Sequence, residues 1–254
     1  MGSWTIELIK TEDGSNTLYS KTFNQHYHNI KDGALNESLS KHIIPALSYQ
    51  KQKNTLHILD ICFGIGYNTL ATLYYIKKQN LNIKVHIYSP EFDRDLIHFV
   101  KAFKYPKQFD SFKDIVNDLS NKLYYSSENI NIEIYNGDAR EYLDKLKQKD
   151  IKIDILYQDA FSKDVNKSLW TKEYFLQIKD ILSDDSIITT YSIATPVRLS
   201  MWENGINIYE YIAKDTNKST IGLNKKTIDQ NYKFVDMELK KQRNKKAKSL
   251  SDFD

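Results

Sequence analysis

Four acidic side chains stand where successive apolar segments of this chain end, a position from which carboxylates can bind the hydroxyl or amine groups of a ligand. The four are Asp60, Glu91, Asp138 and Asp159, which close or follow the segments 57–62, 84–89, 131–135 and 153–158. If these segments are parallel strands, their carboxyl ends meet at one edge of the sheet, where ligands bind. A single Asp there is usually a helix cap or a turn former, but four in succession favour a ligand site.

A glycine turn lies beside the first of these acids. Residues 56–61 are mostly apolar, the chain then turns through Cys62 to Gly66, and a helical pattern over 67–78 follows without a break. Gly64 and Gly66 allow the backbone to approach a ligand closely, because a Cβ atom would block that approach. A strand, a glycine turn and a helix N-terminus favour a nucleotide-type ligand, although simple tight turns also contain two glycines.

The positions of the acids favour a nucleoside cofactor with an amine or cationic centre. Glu91, after the second strand, can accept from both hydroxyl groups of a ribose, and Asp138 can accept from an adenine amine. Asp159, after the fourth strand, would face the reacting end of the ligand. Asn68 and Thr69 stand where a pyrophosphate-binding G-x-G-x-x-G turn would continue, so S-adenosylmethionine fits better than a dinucleotide.

Composition limits the class of protein. The 254 residues, of which 41% are hydrophobic, suffice for one large α/β domain. The single cysteine, Cys62, excludes an internal disulfide and a zinc site of several thiolates; the six histidines lack compact metal-ligand spacing, so we expect no metal. No apolar run has transmembrane length and no signal-peptide core is present, which predicts a soluble cytoplasmic protein without membrane contacts. The oligomeric state stays open, with a monomer favoured.

Strand-like and helix-like segments alternate along the chain. The predicted strands are 57–62, 84–89, 131–135, 153–158, 186–191, 206–212 and 232–239, and helical patterns occupy 36–49, 67–78, 93–103, 111–124, 139–147 and 171–182. This alternation implies right-handed crossovers and an α/β, doubly wound, mostly parallel sheet. We predict an N-terminal extension packed on the core (1–50), a main domain (51–239) and a basic C-terminal tail (240–254).

Four blocks of motif residues extend over residues 19–236. They are Tyr19-Ser20-x-x-Phe23 with Tyr27-His28 and Asp32-Gly33-Ala34-x-x-Glu37-Ser38; Ile58-Leu59-Asp60-x-x-Phe63-Gly64-x-Gly66-x-Asn68; Asp154-x-x-x-x-Asp159-Ala160-Phe161-Ser162, continuing to Asn166 and Leu169-Trp170-Thr171; and Thr190-Tyr191-Ser192 with Val197-Arg198. In these blocks the chain resembles the bacterial tRNA 5-methylaminomethyl-2-thiouridine methyltransferases, in the form that lacks the fused flavin oxidase domain.

The resemblance implies a fold, a cofactor and a reaction. The fold is the seven-stranded, Rossmann-like fold of S-adenosylmethionine-dependent methyltransferases. In the reaction, the exocyclic amine of 5-aminomethyluridine, often 2-thiolated, at the wobble position of the tRNA anticodon loop receives the methyl group. The resemblance implies cofactor contacts from Tyr27, Gly64, Glu91, Asp138 and Asp159. Two further candidates for cofactor binding come from the strand-end pattern itself: Asp60 at the end of the first strand and Gly66 in the turn that follows it.

Methyl transfer to an amine requires positioning and an unprotonated nitrogen. Asp159 would accept an N–H from that amine and orient its lone pair; taking up the proton is a second role that stays open, and capping the next turn is the structural alternative. Phe161 and Trp170 could stack on the splayed base or pack beneath their loop. Arg198 and Lys163 could contact phosphates or stay solvated.

The basic tail is a further candidate for phosphate contacts. Residues 239–248 contain six basic side chains and no acid, whereas the whole chain carries a net charge of only +3. Lys225 and Lys226 would support this segment in binding tRNA. A solvated extension rich in lysine is the alternative.

Two other functions remain open from the sequence. A spermidine synthase-like aminopropyltransferase would share the sheet and an Asp after the fourth strand, but residues 160–163 (Ala-Phe-Ser-Lys) offer no acidic cluster for a diamine. A non-catalytic RNA-binding module with a vestigial nucleotide site is the second alternative, and such a module would not need all four acids.

Overall fold

A nine-stranded mixed sheet forms the centre of the protein, with helices on both faces. The computed structural model describes residues 6–214, 216–228 and 231–253. Its strands are β1 (Ile6–Lys10), β2 (Asn16–Ser20), β3 (Gln25–His26), β4 (Thr55–Ile61), β5 (Lys84–Glu91), β6 (Tyr124–Ser126), β7 (Ile130–Asn136), β8 (Ile153–Gln158), β9 (Leu182–Thr190), β10 (Asn207–Tyr211), β11 (Ser219–Leu223) and β12 (Lys233–Phe234). The first three form a separate antiparallel sheet.

The helices divide into two layers. They are α1 (Ala34–Glu37), α2 (Ile44–Tyr49), α3 (Tyr67–Lys78), α4 (Arg94–Phe99), α5 (Lys113–Lys122), α6 (Ala139–Gln148), α7 (Lys172–Ile181), α8 (Thr195–Trp202) and α9 (Met237–Arg243). The layer of α1 to α5 buries one apolar cluster against the sheet, and the layer of α6 to α8 buries a second cluster against the other face. An apolar side chain on a sheet or helix needs such a partner layer, which is why both faces are covered.

The strand order of the large sheet is β12-β10-β11-β9-β8-β4-β5-β7-β6. Strands β7, β5, β4, β8 and β9 run parallel, whereas β6, β10, β11 and β12 pair antiparallel. This is the α/β, doubly wound, Rossmann-like architecture that the alternating segments predicted, and the parallel strands coincide with the first five predicted ones. Their carboxyl ends therefore share one edge of the sheet, as the argument about the acids required.

The closing strand of the sheet differs from the prediction. The segment 232–239 was predicted as the seventh strand, but it contains only the two-residue β12 and the start of α9. Asp236 accepts a hydrogen bond from Leu239 N (2.8 Å) and so caps that helix, which ends the strand. The place beside β9 belongs to β11, all five residues of which are buried. With the short edge strands β6 and β12, the sheet has nine strands rather than seven.

The N-terminal segment packs on the main sheet and includes a distorted helix. The predicted helix 36–49 is present as α1, a π-helical stretch over Ser38–Ile43, and α2, in direct succession. Two long-range contacts attach the segment to the main sheet region: Gln25 Nε2 donates to Ser162 Oγ at 2.6 Å, and His42 Nδ1 lies 2.8 Å from Thr189 Oγ1. Both contacts approach the carboxyl edge of the parallel strands.

The C-terminal segment is anchored at both ends. Helix α9 crosses the predicted boundary at residue 240, and the chain then returns to α7 and α8, where Leu250 N donates to Ser200 Oγ (3.0 Å) and Leu250 O accepts from Lys172 N (2.9 Å). Asp252 forms an ion pair with Arg140 at 2.7 Å. In the described part of the chain, no helix has the length and apolar character needed to cross a membrane.

Candidate functional site

A cavity of about 1270 Å³ opens at the carboxyl edge of the parallel strands. The turn after β4, the end of β5, the start of α6, the loop after β8 and the N-terminal segment all contribute to its walls. Six of the predicted site residues line it: Tyr27, Gly64, Glu91, Asp138, Asp159 and Phe161. The strand ends and motifs of the sequence therefore indicated where the cavity lies, although the other seven predicted site residues are not part of its wall.

The glycine turn after β4 adopts left-handed backbone conformations. Gly64 and Gly66 have φ angles of 57° and 74°, which strongly favour glycine. A Cβ atom on Gly66 would lie 2.8 Å from Phe63 Cζ, so Gly66 closes the turn onto this ring and does not line the cavity. Gly64 does line it, and a Cβ there would only touch the ring of Tyr27 at 3.4 Å. The turn thus presents backbone to a ligand at Gly64.

Glu91, at the end of β5, is held by two backbone donors. Its Oε2 accepts from Gly64 N and its Oε1 from Asp93 N, each at 2.8 Å. Burial raises the pKa of Glu91, and these two hydrogen bonds oppose the shift. Each carboxylate oxygen keeps a further lone pair, so the fixed side chain can still accept two hydroxyl groups from one ligand.

Asp138 and Asp60 differ in environment although both follow strands. Asp138 is exposed at the cavity and caps α6, since its Oδ1 accepts from Arg140 N at 2.8 Å. Asp60 is 1% exposed, does not line the cavity, and accepts from Thr69 Oγ1 at 2.8 Å and from Asn68 Nδ2 at 3.3 Å. Burial raises the pKa of Asp60 to about 7. We infer that it positions the start of α3 and does not contact a ligand directly.

Asp159, directly after β8, combines access to the cavity with buried partners. Its side chain is 17% exposed; its Oδ2 accepts from Asn68 Nδ2 at 2.9 Å, and its Oδ1 lies 3.6 Å from His42 Nε2. Burial alone would raise the pKa of Asp159, but His42, His28 and Asn68 together outweigh that effect and lower it. The carboxylate is therefore ionised at neutral pH and faces the cavity as a fixed negative charge.

The loop after β8 is fixed by the N-terminal segment. Gln25 binds both atoms of Ser162, donating to its Oγ at 2.6 Å and accepting from its N–H at 3.2 Å. The ring of Phe161 packs between the rings of Phe23 and Tyr27, with centroid distances of 5.1 and 5.0 Å. These contacts place an aromatic surface at the cavity wall two residues after Asp159.

Several residues predicted to bind substrate do not lie at the cavity. Trp170 is fully buried and donates from Nε1 to Phe161 O at 2.7 Å, so it packs beneath the loop and cannot stack on a base. Arg198 is 3% exposed and donates to Thr220 Oγ1 at 2.9 Å, which removes it from contact with phosphates. Lys225 and Lys226 are exposed, but they follow Leu223, and β11 runs antiparallel to β9, so they lie on the side of the sheet away from the carboxyl end of β9 and the cavity.

Lys163 lies next to the cavity loop but is not part of the cavity wall, and its ammonium pairs with Asp164.

Sequence reasoning also missed two residues that the site depends on, Gln25 and His42. Neither had a local signal, because each acts through a contact with a residue more than 130 positions away. No cluster of three or more potential metal ligands occurs among the residues that the structure describes.

Known proteins provide an independent comparison with this site. Residues 106–220 match the model of a family described as S-adenosyl-L-methionine-dependent methyltransferase. Of the solved structures, that of MnmC2 from Aquifex aeolicus superimposes with a TM-score of 0.80 and 26% sequence identity, covering 96% of this chain and 77% of that one. In its fold, its site and the family model that it matches, the chain is therefore similar to methyltransferases that use S-adenosylmethionine, in agreement with the sequence prediction.

Curated relatives narrow the resemblance within that class. An uncharacterized protein of Methanocaldococcus jannaschii is 30% identical over 80% of this chain and 55% of its own length. The tRNA 5-methylaminomethyl-2-thiouridine biosynthesis bifunctional protein MnmC of Campylobacter jejuni is 27% identical over 76% of this chain. This chain spans about half of the former relative and 32% of the latter. The resemblance drawn from the four motif blocks is confirmed by these similarities.

The residues of the cavity fit S-adenosylmethionine. Glu91 offers two acceptors for a ribose diol, and Gly64 leaves room for close approach of the ligand. Asn68 Oδ1 is buried and has no hydrogen-bond partner among the described residues, although Asn68 lines the cavity. A buried acceptor without a partner is costly, and an ammonium group would satisfy it.

Replacing Glu91 by alanine should weaken S-adenosylmethionine binding. We expect the affinity to fall by about 1.5–3 kcal/mol, since the variant lacks hydrogen bonds to a charged acceptor. Isothermal titration calorimetry measures the change, and Asp95→Ala is the matched control, because Asp95 is an exposed acid on the same cavity wall. Equal affinity of Glu91→Ala and wild type would contradict the assignment of Glu91 to the ribose.

Proposed function

We propose that this chain transfers the methyl group of S-adenosylmethionine to the exocyclic amine of 5-aminomethyl-(2-thio)uridine at the tRNA wobble position, giving 5-methylaminomethyl-(2-thio)uridine. The observation that carries the proposal is the ionised carboxylate of Asp159, fixed by Asn68 and exposed to the cavity. Similarity to the MnmC and MnmC2 proteins supports the choice of substrate.

The chain contributes position and charge to this reaction. S-adenosylmethionine, when bound, supplies a methyl group on a sulfonium centre. Asp159 can accept an N–H of the substrate amine and so direct the nitrogen lone pair into the cavity. Phe161, held between Phe23 and Tyr27, offers its ring to the base of the splayed nucleotide, a common way of holding an unpaired RNA base. Gln25 keeps this loop in place through Ser162.

The proposal is tested by methylation of hypomodified tRNA. Purified protein is incubated with S-adenosylmethionine and tRNA whose wobble uridine carries a 5-aminomethyl group, and the nucleosides are analysed by mass spectrometry. We expect one additional methyl group on the wobble nucleoside and none with tRNA that lacks the aminomethyl group. Binding of the tRNA without methylation would instead indicate the RNA-binding module.

A second arm of the assay addresses the aminopropyltransferase alternative. Decarboxylated S-adenosylmethionine and a diamine replace the two substrates, and polyamine products are measured. We expect no product, because the residues after Asp159 are the apolar Ala160 and Phe161, and Ser162 is already bound by Gln25. Formation of a polyamine at a rate above that of tRNA methylation would overturn the proposed function.

Binding of tRNA phosphates should depend on the exposed lysines of the C-terminal segment. Truncation after Leu239 is unsuitable as a test, since it would remove most of α9 and the anchor at Leu250. Lys241 is also unsuitable because it pairs with Glu203 at 3.1 Å. The triple variant Lys245→Gln, Lys246→Gln, Lys248→Gln should bind tRNA more weakly, because all three side chains carry a charge that phosphates attract.

Salt dependence of binding distinguishes phosphate binding from other effects of this variant. Every phosphate that is no longer neutralised should reduce the slope of log affinity against log salt by about 0.7–0.9. The control variant neutralises three exposed lysines elsewhere, Lys51, Lys104 and Lys107, and should keep the wild-type slope. The same slope in both variants would show that the C-terminal lysines are only solvated.

A further inference from the structure

A fully buried histidine lies next to the cavity carboxylate without lining the cavity itself. His42 belongs to the π-helical stretch Ser38–Ile43, and its side chain has no exposed surface. Its Nδ1 lies 2.8 Å from Thr189 Oγ1 on β9, and its Nε2 lies 3.6 Å from Asp159 Oδ1 at the end of β8. The imidazole therefore bridges two neighbouring strands directly behind the proposed substrate site.

The two ring nitrogens differ in how they are satisfied. Nδ1 has a hydrogen-bonding partner in Thr189, whereas Nε2 is buried and has none among the described residues. A distance of 3.6 Å to Asp159 is too long for a hydrogen bond, although it permits attraction between charges. With the proton on Nδ1, the lone pair of Nε2 faces a carboxylate, and a second proton on Nε2 would turn this unfavourable pair into a charge-assisted hydrogen bond.

We propose that His42 Nε2 takes up, through Asp159, the proton that the substrate amine loses before methyl transfer. This inference rests on the proposed function, because only an amine substrate brings that proton. In the step, one N–H bond of the substrate ammonium breaks and its electron pair stays on nitrogen as the nucleophilic lone pair. The proton passes over a carboxylate oxygen and forms an N–H bond at Nε2, which leaves an imidazolium paired with the Asp159 carboxylate. His42 acts through Asp159 and is a positioning residue.

The surroundings favour the imidazole over the carboxylate as the final proton acceptor. Burial would raise the pKa of Asp159, but the facing imidazole of His42 and the hydrogen bond from Asn68 outweigh burial and lower it, so the carboxylate holds a proton poorly at neutral pH. The lone pair of His42 Nε2 faces this carboxylate, and a proton accepted there places the new positive charge next to the negative one. The groups facing His42 are Asp159, the ring of Tyr157 at 5.9 Å, Thr189, and more distantly His28 and Asp60. Burial lowers the pKa of His28, which keeps that second imidazole neutral.

The variant His42→Gln tests the proposal through the pH dependence of a single turnover. With saturating S-adenosylmethionine and tRNA, we expect the wild-type rate to rise with pH along an acidic limb, because a protonated imidazole cannot accept the substrate proton. His42→Gln should lack this limb and react about 100-fold more slowly at pH 7.5, since glutamine cannot take up a proton. The substrate amine adds its own limb at higher pH in both proteins, so the difference between the profiles belongs to His42.

Two controls separate a proton-accepting role from a structural one. His86→Gln, a change of a half-buried histidine on β5, should keep the wild-type profile. Calorimetry should give His42→Gln the wild-type affinity for S-adenosylmethionine within about threefold, as expected if the cavity is intact. If His42→Gln reacts more slowly than wild type but its pH profile keeps the acidic limb, the proposal is wrong, because His42 then has only a packing role.

A measurement without substrate keeps this test separate from the proposed function. The imidazole resonances of His42, identified by their absence in His42→Gln, are titrated by NMR in wild type and in Asp159→Asn. We expect the imidazolium form to persist to higher pH in wild type, because the carboxylate stabilises it. If the tRNA is not methylated but this difference is present, the proposed substrate fails while the proton-sharing pair stands. Identical titrations in the two proteins overturn the pair.

Discussion

Asp159→Asn should lower the single-turnover rate of methyl transfer by about 10²- to 10⁴-fold while the protein stays folded. Asparagine has the size of aspartate but lacks the charge that accepts the amine N–H and faces His42 Nε2 at 3.6 Å. Removing that charge also removes repulsion with the buried Asp60, whose pKa is raised to about 7 by burial and, to a smaller extent, by Asp159. Rapid-quench kinetics with saturating tRNA and cofactor measures the rate.

The control for this prediction lies in the same loop. Asp164 is an exposed acid whose side chain is 75% accessible and pairs only with Lys163 among its described salt-bridge partners. Asp164→Asn should therefore react within about twofold of wild type, since a surface ion pair contributes little. The role given to Asp159 is wrong if Asp159→Asn reacts as fast as this control.

The acids of the site could be predicted because their signals are local. An apolar run that ends in an acid can be recognised within about ten residues, and parallel pairing then brings the four ends to one edge. The structure places Glu91, Asp138 and Asp159 on one cavity for this reason. Asp60 follows the same pattern, yet its side chain is buried beneath α3 through Thr69 and Asn68, and sequence cannot tell a strand end that faces solvent from one that faces a helix.

The misplaced residues depend on packing between distant parts of the chain. Arg198 and Trp170 are residue types that often bind nucleic acid, but here Thr220 and Phe161 O accept their hydrogen bonds in the interior. Strand β11 was missed because its five residues, Ser-Thr-Ile-Gly-Leu, contain only two large apolar side chains and no apolar run. Its position between β9 and β10 is fixed by pairing on both sides, which no local window contains.

The π-helical stretch Ser38–Ile43, which contains His42, also contains Lys41, the cation of a buried ion cluster. Lys41 Nζ donates to Asp32 Oδ2 and to Glu37 Oε1, each at 2.7 Å, and its side chain is 4% exposed. Glu37 also accepts from Asn29 N at 2.6 Å, and both Glu37 and Asn29 line the cavity. The cluster therefore joins the π-helical stretch to the cavity wall formed by the N-terminal segment.

Lys41→Met should destabilise the fold by about 3–5 kcal/mol, the usual cost of removing one partner from a buried ion pair. Methionine fills a similar volume but leaves the carboxylates of Asp32 and Glu37 buried next to each other without their cation. Burial would lower the pKa of Lys41, but the two carboxylates outweigh it and raise the pKa. The stabilisation by Lys41 is therefore complete at neutral pH and disappears only as the pH rises through this raised value. Urea denaturation at pH 7 measures the difference.

The exposed pair between Lys21 and Glu7 provides the comparison for Lys41. Its ion pair is 2.8 Å long, close to the 2.7 Å of the buried pairs, but both side chains are about half exposed. Lys21→Met should therefore change the stability much less than Lys41→Met does, because water screens an exposed ion pair. Equal destabilisation in the two variants would show that burial does not strengthen the cluster. A large destabilisation in Lys41→Met, together with weaker S-adenosylmethionine binding in the remaining folded protein, is expected if the cluster holds Glu37 and Asn29 at the cavity wall.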